Sequence, residues 1–317
     1  RHQQLLLLLI AIGFLSGLIG VIQAVGPANG PLYFYRITNS GVSVGLFANR
    51  NHQAVFLATL YPLLAANLSL FKGRPDRLFF HRSITLAGAA LLVPLVLMTG
   101  SRAGLLLAVV GVGFAWWIYR PPVARGRVEG IRSEHRSRFV GLGIAAALLI
   151  AVVVVAVRTP ALQRLVETDP ASELRIQTLP ILGKAIQTFM PLGSGIGTFV
   201  EAYQIFEPDR LVSPSYFNHA HNDFIELAMT GGVPAILLLL WAGGGGIIWF
   251  AALQRNRHVG SDESGFGTQI LGRAGFAVLV MLALASAADY PLRTPSLILY
   301  AIVMAVWCAN ARRLARK

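Results

Sequence analysis

His219 and His221 stand two residues apart in Asn218-His-Ala-His-Asn222, with Asp223 and Glu226 following. Histidine ordinarily titrates closest to neutrality, so either ring could take a proton from a hydroxyl or return one. Histidines that only pack or cap a helix are equally familiar, and the residues alone leave both roles open. A metal site at His219, His221 and Asp223 is weakly signalled. There is no HExxH pair, and a spacing of i, i+2 does not put both rings on one helical face. No metal and no cofactor are expected. His52, in Asn49-Arg-Asn-His-Gln53, suits a hydrogen-bonded helix residue better than a catalyst.

Several cations could act with these histidines. Arg102 lies among Gly100, Ser101, Ala103 and Gly104, between two apolar runs. It could snorkel to the surface, but its small neighbours leave room for a ligand, and a guanidinium beside a membrane favours function. Arg50 is a second such cation, for which a cap or salt bridge is the simpler account. Arg175 falls on a helix signal (Asp169 as N-cap, Pro170, Glu173), where a solvated face is the simpler account. Pro180 is expected to bend or break that helix. The glycines of Gly193-Ser-Gly195-Ile-Gly197 could bring backbone N–H groups to a phosphate, although a tight turn is the better reading. In Asp289-Tyr-Pro-Leu-Arg293, an Asp289–Arg293 ion pair clamping the turn is favoured slightly over ligand contact by Arg293.

The elements that must hold these groups follow from composition. Of 317 residues, 55% are hydrophobic and only 13% charged, about half the charge of a soluble domain. The chain reads as an all-α, polytopic membrane protein. A bilayer core needs roughly 20 apolar helical residues to cross it. Eight stretches qualify or nearly qualify: Leu5–Val25, Leu46–Phe71, Ser83–Thr99, Ala103–Tyr119, Phe139–Val157, Val233–Leu253, Ala274–Ala288 and Ser296–Ala311. Residues 1–157 thus hold five spans and 233–317 three, with 158–232 as a folded loop between them. Within that loop Asp223–Thr230 reads as a short helix stopped by Gly231-Gly232. The Gly243–Gly246 run reads as a close-packed or kinked place in the sixth span. The chain opens at Arg1, directly before an apolar run, so further helices are expected to precede it.

Charge orients the bundle. One side carries 18 of the 27 Lys and Arg but 5 of the 14 Asp and Glu, so the whole net charge of +13 lies there. By the positive-inside rule that side, with both termini, faces the cytoplasm. The arginines are short stop signals between spans, which disposes of a nucleic-acid partner. The histidine pair, Arg50, Arg102, Arg175 and Asp289 all fall on the other side. Such a grouping suits an anionic, lipid-borne substrate that stays in the bilayer while its head is worked on outside. A transporter or flippase would instead place charges mid-span, where this chain has almost none.

From about Asn49 to Pro295 the chain resembles the O-antigen ligase and polymerase superfamily of bacterial envelope membrane proteins. The resemblance rests on Asn49-Arg-Asn-His-Gln-Ala54, Thr99-Gly-Ser-Arg-Ala-Gly104, Pro191-Leu-Gly-Ser-Gly-Ile-Gly-Thr-Phe199, and His219-Ala-His-Asn-Asp-Phe-Ile-Glu226 with Gly231-Gly232, in that order, and on Asp289–Pro295. Family ligases share a His-Asn pair, nine residues, then a glycine, which fall here on His221, Asn222 and Gly232. The pattern then asks for Gly, Thr or Tyr, and the chain has Ala235, a departure that weakens ligase against polymerase.

The resemblance implies a GT-C-like helical bundle in the bacterial inner membrane, with 158–232 as a periplasmic catalytic loop. It implies a metal-independent, inverting glycosyl transfer from an undecaprenyl-pyrophosphate-linked glycan to a hydroxyl of lipid A-core or of a growing polysaccharide. His221 would be the general base, with Arg102 and Arg175 on the pyrophosphate. Apart from the resemblance, the residues themselves offer Arg50, His219, Gly195 and Arg293, beside Asn222, as substrate contacts.

Overall fold

The computed structural model describes residues 1–36, 38–122, 143, 146, 150, 153–154, 170–212, 217–255 and 263–314. Among these the secondary structure is entirely helical. The helices are α1 His2–Val25, α2 Arg50–Ala58, α3 Leu60–Ser69, α4 Pro75–Leu97, α5 Arg102–Ile118, α6 Pro170–Phe189, α7 Phe199–Gln204, α8 Asp223–Arg255, α9 Glu263–Ser286 and α10 Pro295–Leu314. Among the described residues five stretches are long and apolar enough to cross a bilayer: His2–Val25, Arg77–Leu97, Asp223–Gln254, Gly265–Ser286 and Pro295–Arg313, with Arg102–Ile118 somewhat shorter. That is fewer than the eight expected. The expected fifth span, Phe139–Val157, lies largely outside the described residues. The second is divided between α2 and α3. Pro62 accounts for the division: it has no N–H for the carbonyl of Ala58, and its ring crowds that carbonyl.

Small residues let the helices close on one another, as apolar burial alone cannot do within lipid. The buried face of α1 carries Gly13, Ser16, Gly17 and Gly20. A Cβ at Gly13 would run into the Leu60 side chain, and one at Gly17 into that of Leu95. Gln23, on the same face, is saturated by the loop that follows. Its Oε1 accepts the N–H groups of Val44 and Gly45, and its Nε2 donates to the carbonyls of Leu32 and Gly45. The loop is thereby strapped to α1 and delivers Asn49, which caps α2 through the N–H of Asn51.

One apolar core joins α1–α5, α9 and α10. A second, smaller one gathers Leu182 and Ala185 of α6, Phe199, Ala202 and Tyr203 of α7, Ala220, and Met229 of α8. The loop between spans is thus a folded unit with its own core. Helix α6 runs through Pro180 without a break, so of the bend or break expected there the break does not occur. The only hydrogen bond Pro180 removes is that to Ile176, on a side where both residues are exposed.

In α8 the helical path is interrupted at Gly232, with φ 55° and ψ −148°. The first limb is the short helix expected from Asp223, and the second is the span begun by Pro234. Among the described residues the four glycines 243–246 are not a close-packed or kinked place. They lie within the helix with open space around each, among the described residues.

Candidate functional site

The starts of α2, α5, α8 and α10 and the ends of α4 and α9 share one end of the bundle, and the smaller unit adjoins it. Asn222 fixes the approach to α8. Its Oδ1 accepts the N–H groups of Phe224 and Ile225, and its Nδ2 donates to the carbonyl of Ala287. This cap ties the start of α8 to the end of α9. The residue before it, His221, has φ 50°, the one positive value at a non-glycine residue among those described. Left-handed backbone of this kind costs about 1 kcal/mol, and such strain gathers at functional sites.

His221 meets two groups through one atom. Its Nδ1 lies 3.1 Å from a terminal nitrogen of Arg175 and 3.2 Å from Oδ1 of Asp289. Asp289 is buried, with Oδ2 accepting Nδ2 of Asn51 at 2.6 Å. Burial by itself would push the carboxyl up. The surrounding His221, His52 and Arg175 outweigh it and hold the group below the usual carboxylate range. Tyr290 fills the space between the histidines, its ring centroid 4.3 Å from that of His219 and 5.1 Å from those of His52 and His221. Burial, then the negative charge of Asp289, raise its phenol above the ordinary value.

Beside this lies a second charged row. His219 Nδ1 is 3.1 Å from Oε1 of Glu226, whose other oxygen accepts the N–H of Ala220. Arg293 reaches Asp223 at 3.3 Å and Glu226 at 3.2 Å, and Ser286 donates to the second oxygen of Asp223. The favoured Asp289–Arg293 pair is therefore not formed among the described residues. The turn Pro291–Arg293 is a 3-10 helix that sends Arg293 to the two acids of α8, while Asp289 turns to His221 and Asn51. His219, His221 and Asp223 point to three separate partners rather than to a common centre.

The other candidate residues fall into place around these. Arg175 is on α6 but not on a solvated face: besides His221 it bonds the carbonyl of Ala288 at 3.2 Å, and its Nε is buried without a partner among the described residues. Arg102 is the first residue of α5, exposed, after the cap in which Ser101 accepts the N–H of Gly104. Gly104 abuts Ala54 of α2, so Arg102 stands at the same end as Asn51, one helix away from Asp289. Arg50 opens α2, its N–H donating to Asn39. The N–H groups of Gly193, Ser194 and Gly195 are taken by the carbonyls of Phe189, Met229 and Thr230. Those donors are occupied by backbone, which ties the glycine segment to the break in α8 instead of leaving it open to phosphate.

Asp289 as the partner of His221, with Asn51 behind it, was not foreseen. The signal available was an acid flanking apolar spans on the same side as the histidines, but its pairing across 68 residues has no trace in local spacing.

A search of curated proteins finds no match to the chain. A family model, O-antigen ligase, matches residues 87–240, a stretch that contains Arg102, Arg175, His219, His221 and Glu226 and stops before Asp289. Over that stretch, just under half of the chain, the protein is similar to the O-antigen ligase family, and its apolar helices agree with the multi-pass, glycosyltransferase-like membrane enzymes of polysaccharide and lipopolysaccharide biosynthesis.

Proposed function

We propose that the protein transfers a glycan from undecaprenyl pyrophosphate to an acceptor hydroxyl, on lipid A-core or on a growing polysaccharide, at the outer face of the bacterial inner membrane. The observation that carries this reading is the contact of His221 with both a buried carboxylate, Asp289, and a guanidinium, Arg175. A carboxylate on Nδ1 holds the ring so that Nε2 can accept a proton, the arrangement by which a histidine becomes a general base. The acceptor hydroxyl loses its proton to Nε2 as its oxygen attacks C1 of the donor sugar. The bond from C1 to the phosphate oxygen breaks, and its electron pair leaves with the diphosphate. Arg175 stands beside that leaving group, and Arg102 comes from the start of α5 to share its charge through bidentate hydrogen bonds. Attack opposite the leaving group inverts C1. His219, Asn222, Arg50 and Arg293 line or brace the same mouth. The whole positive excess lies on the opposite side of the chain's spans, which supports the outward placement of this cluster.

Ligase and polymerase share this chemistry, and Ala235 favours the polymerase. The carrier lipid of a deletion strain separates them: a missing ligase leaves long lipid-linked chains, a missing polymerase leaves single repeat units. Lipid-linked glycan that stays on the inner leaflet would overturn both in favour of a flippase. Purified protein in vesicles should lose transfer in His221→Ala, and an undiminished rate would overturn the assignment of the base.

A further inference from the structure

The two contacts of His221 make opposite demands on one nitrogen. A guanidinium has only hydrogens to offer, so Arg175 needs a lone pair on Nδ1. The carboxylate of Asp289 is an acceptor, so it needs a hydrogen there. At 3.1 and 3.2 Å the atom is shared almost equally, yet it can satisfy one neighbour at a time. Which one prevails decides whether Nε2 carries a hydrogen or a lone pair, and hence whether a base exists.

Arg175 is the contact more readily drawn away. Its guanidinium is held by a ring nitrogen and one carbonyl, its Nε is buried with no acceptor, and among the described residues no carboxylate lies in salt-bridge reach of it. Asp289 is fixed by Asn51, by the N–H of Tyr290 and by burial. The other titratable or charged groups around the ring are Tyr290, His52 and His219, with Glu226 and Arg293 beyond His219.

Building on the donor site proposed above, we infer that the donor's diphosphate arms the base by drawing Arg175 off Nδ1 of His221 and leaving that nitrogen to Asp289, the positioning residue. Without an anion, Nδ1 accepts from Arg175 and the ring hydrogen sits on Nε2. With the diphosphate in place, Nδ1 takes a proton from solvent and donates it to Asp289, while Nε2 releases its own to solvent. The ring gains no net proton, and Nε2 now presents its lone pair to the acceptor. An empty site therefore holds no base that could activate water.

The test is nitrogen NMR of histidine-labelled protein in lipid, with His221 assigned from the resonance lost in His221→Gln, and inorganic pyrophosphate as the probe. Without pyrophosphate His221 should be the Nε2–H form, and at saturation the Nδ1–H form. Arg175→Met, which has the length but no donor, should hold the Nδ1–H form throughout. Calorimetry on the same samples separates the two readings. Pyrophosphate binding with the ring unchanged, or a ring already Nδ1–H without it, would overturn this inference alone. Absence of binding would overturn the donor site and the inference with it.

Discussion

At the scale of the residue, the chemistry depends on how a buried carboxylate keeps its charge. Asp289 is shielded from water, which disfavours the anion, but His221, His52 and Arg175 surround it and outweigh that cost. Its value in the folded protein lies below the ordinary one of about 3.9, so the group binds protons more readily once the chain unfolds. Its contribution to stability is therefore complete above that ordinary value and disappears as pH falls through the folded value. The difference in thermal stability between wild type and Asp289→Asn should be constant at neutral pH and shrink below about pH 4. A difference that grows on acidification would refute the assigned direction. For His221→Ala we expect transfer to fall by roughly 10²–10⁴-fold, the usual contribution of a general base, together with a lower melting temperature because buried Asp289 loses a partner. The rate is to be measured against a variant of equal stability.

At the scale of the element, glycines in one helix do opposite work. At Gly232 the backbone is left-handed, and a Cβ would strike the carbonyl of Pro191 and the N–H of Gly193. Gly232→Ala should therefore destabilise by about 1–3 kcal/mol, the cost of forcing a side chain into such backbone. Further along the same helix, Gly243 lies in regular backbone with nothing among the described residues near its absent Cβ. Gly243→Ala should raise helix stability by about 1 kcal/mol. Melting of both variants in detergent checks the contrast, and equal effects would mean that the break at Gly232 is not under steric control. The break lets the first limb of α8 carry Asp223 and Glu226 to Arg293 while the second limb departs along the span.

At the scale of the whole molecule, the charge asymmetry supports the proposed orientation, which can be measured. In a Cys308→Ser background, Gly197→Cys on the smaller unit should react with a membrane-impermeant maleimide from outside intact cells. Arg313→Cys should react only after permeabilisation. The reverse pattern would invert the proposed topology and move the histidine cluster to the cytoplasm. Apolar runs, small residues and the sign of the flanking charge are local properties, so the helical class, the ends of most spans and the candidacy of His221, Arg102 and Arg175 could be read from the chain alone. The proline at 62 is equally local, but a count of apolar residues passes over the missing N–H that splits one expected span into α2 and α3. Which acid pairs with which base could not be read. Asp289 and Arg293 are four residues apart, as a clamp would have them, yet the turn between them sends one to His221, 68 residues back, and the other to Asp223 and Glu226. Spacing along a chain sets periodicity within one helix, whereas a site assembled from the ends of several depends on how those helices pack. That is decided by steric fit over the entire bundle, which no short motif contains.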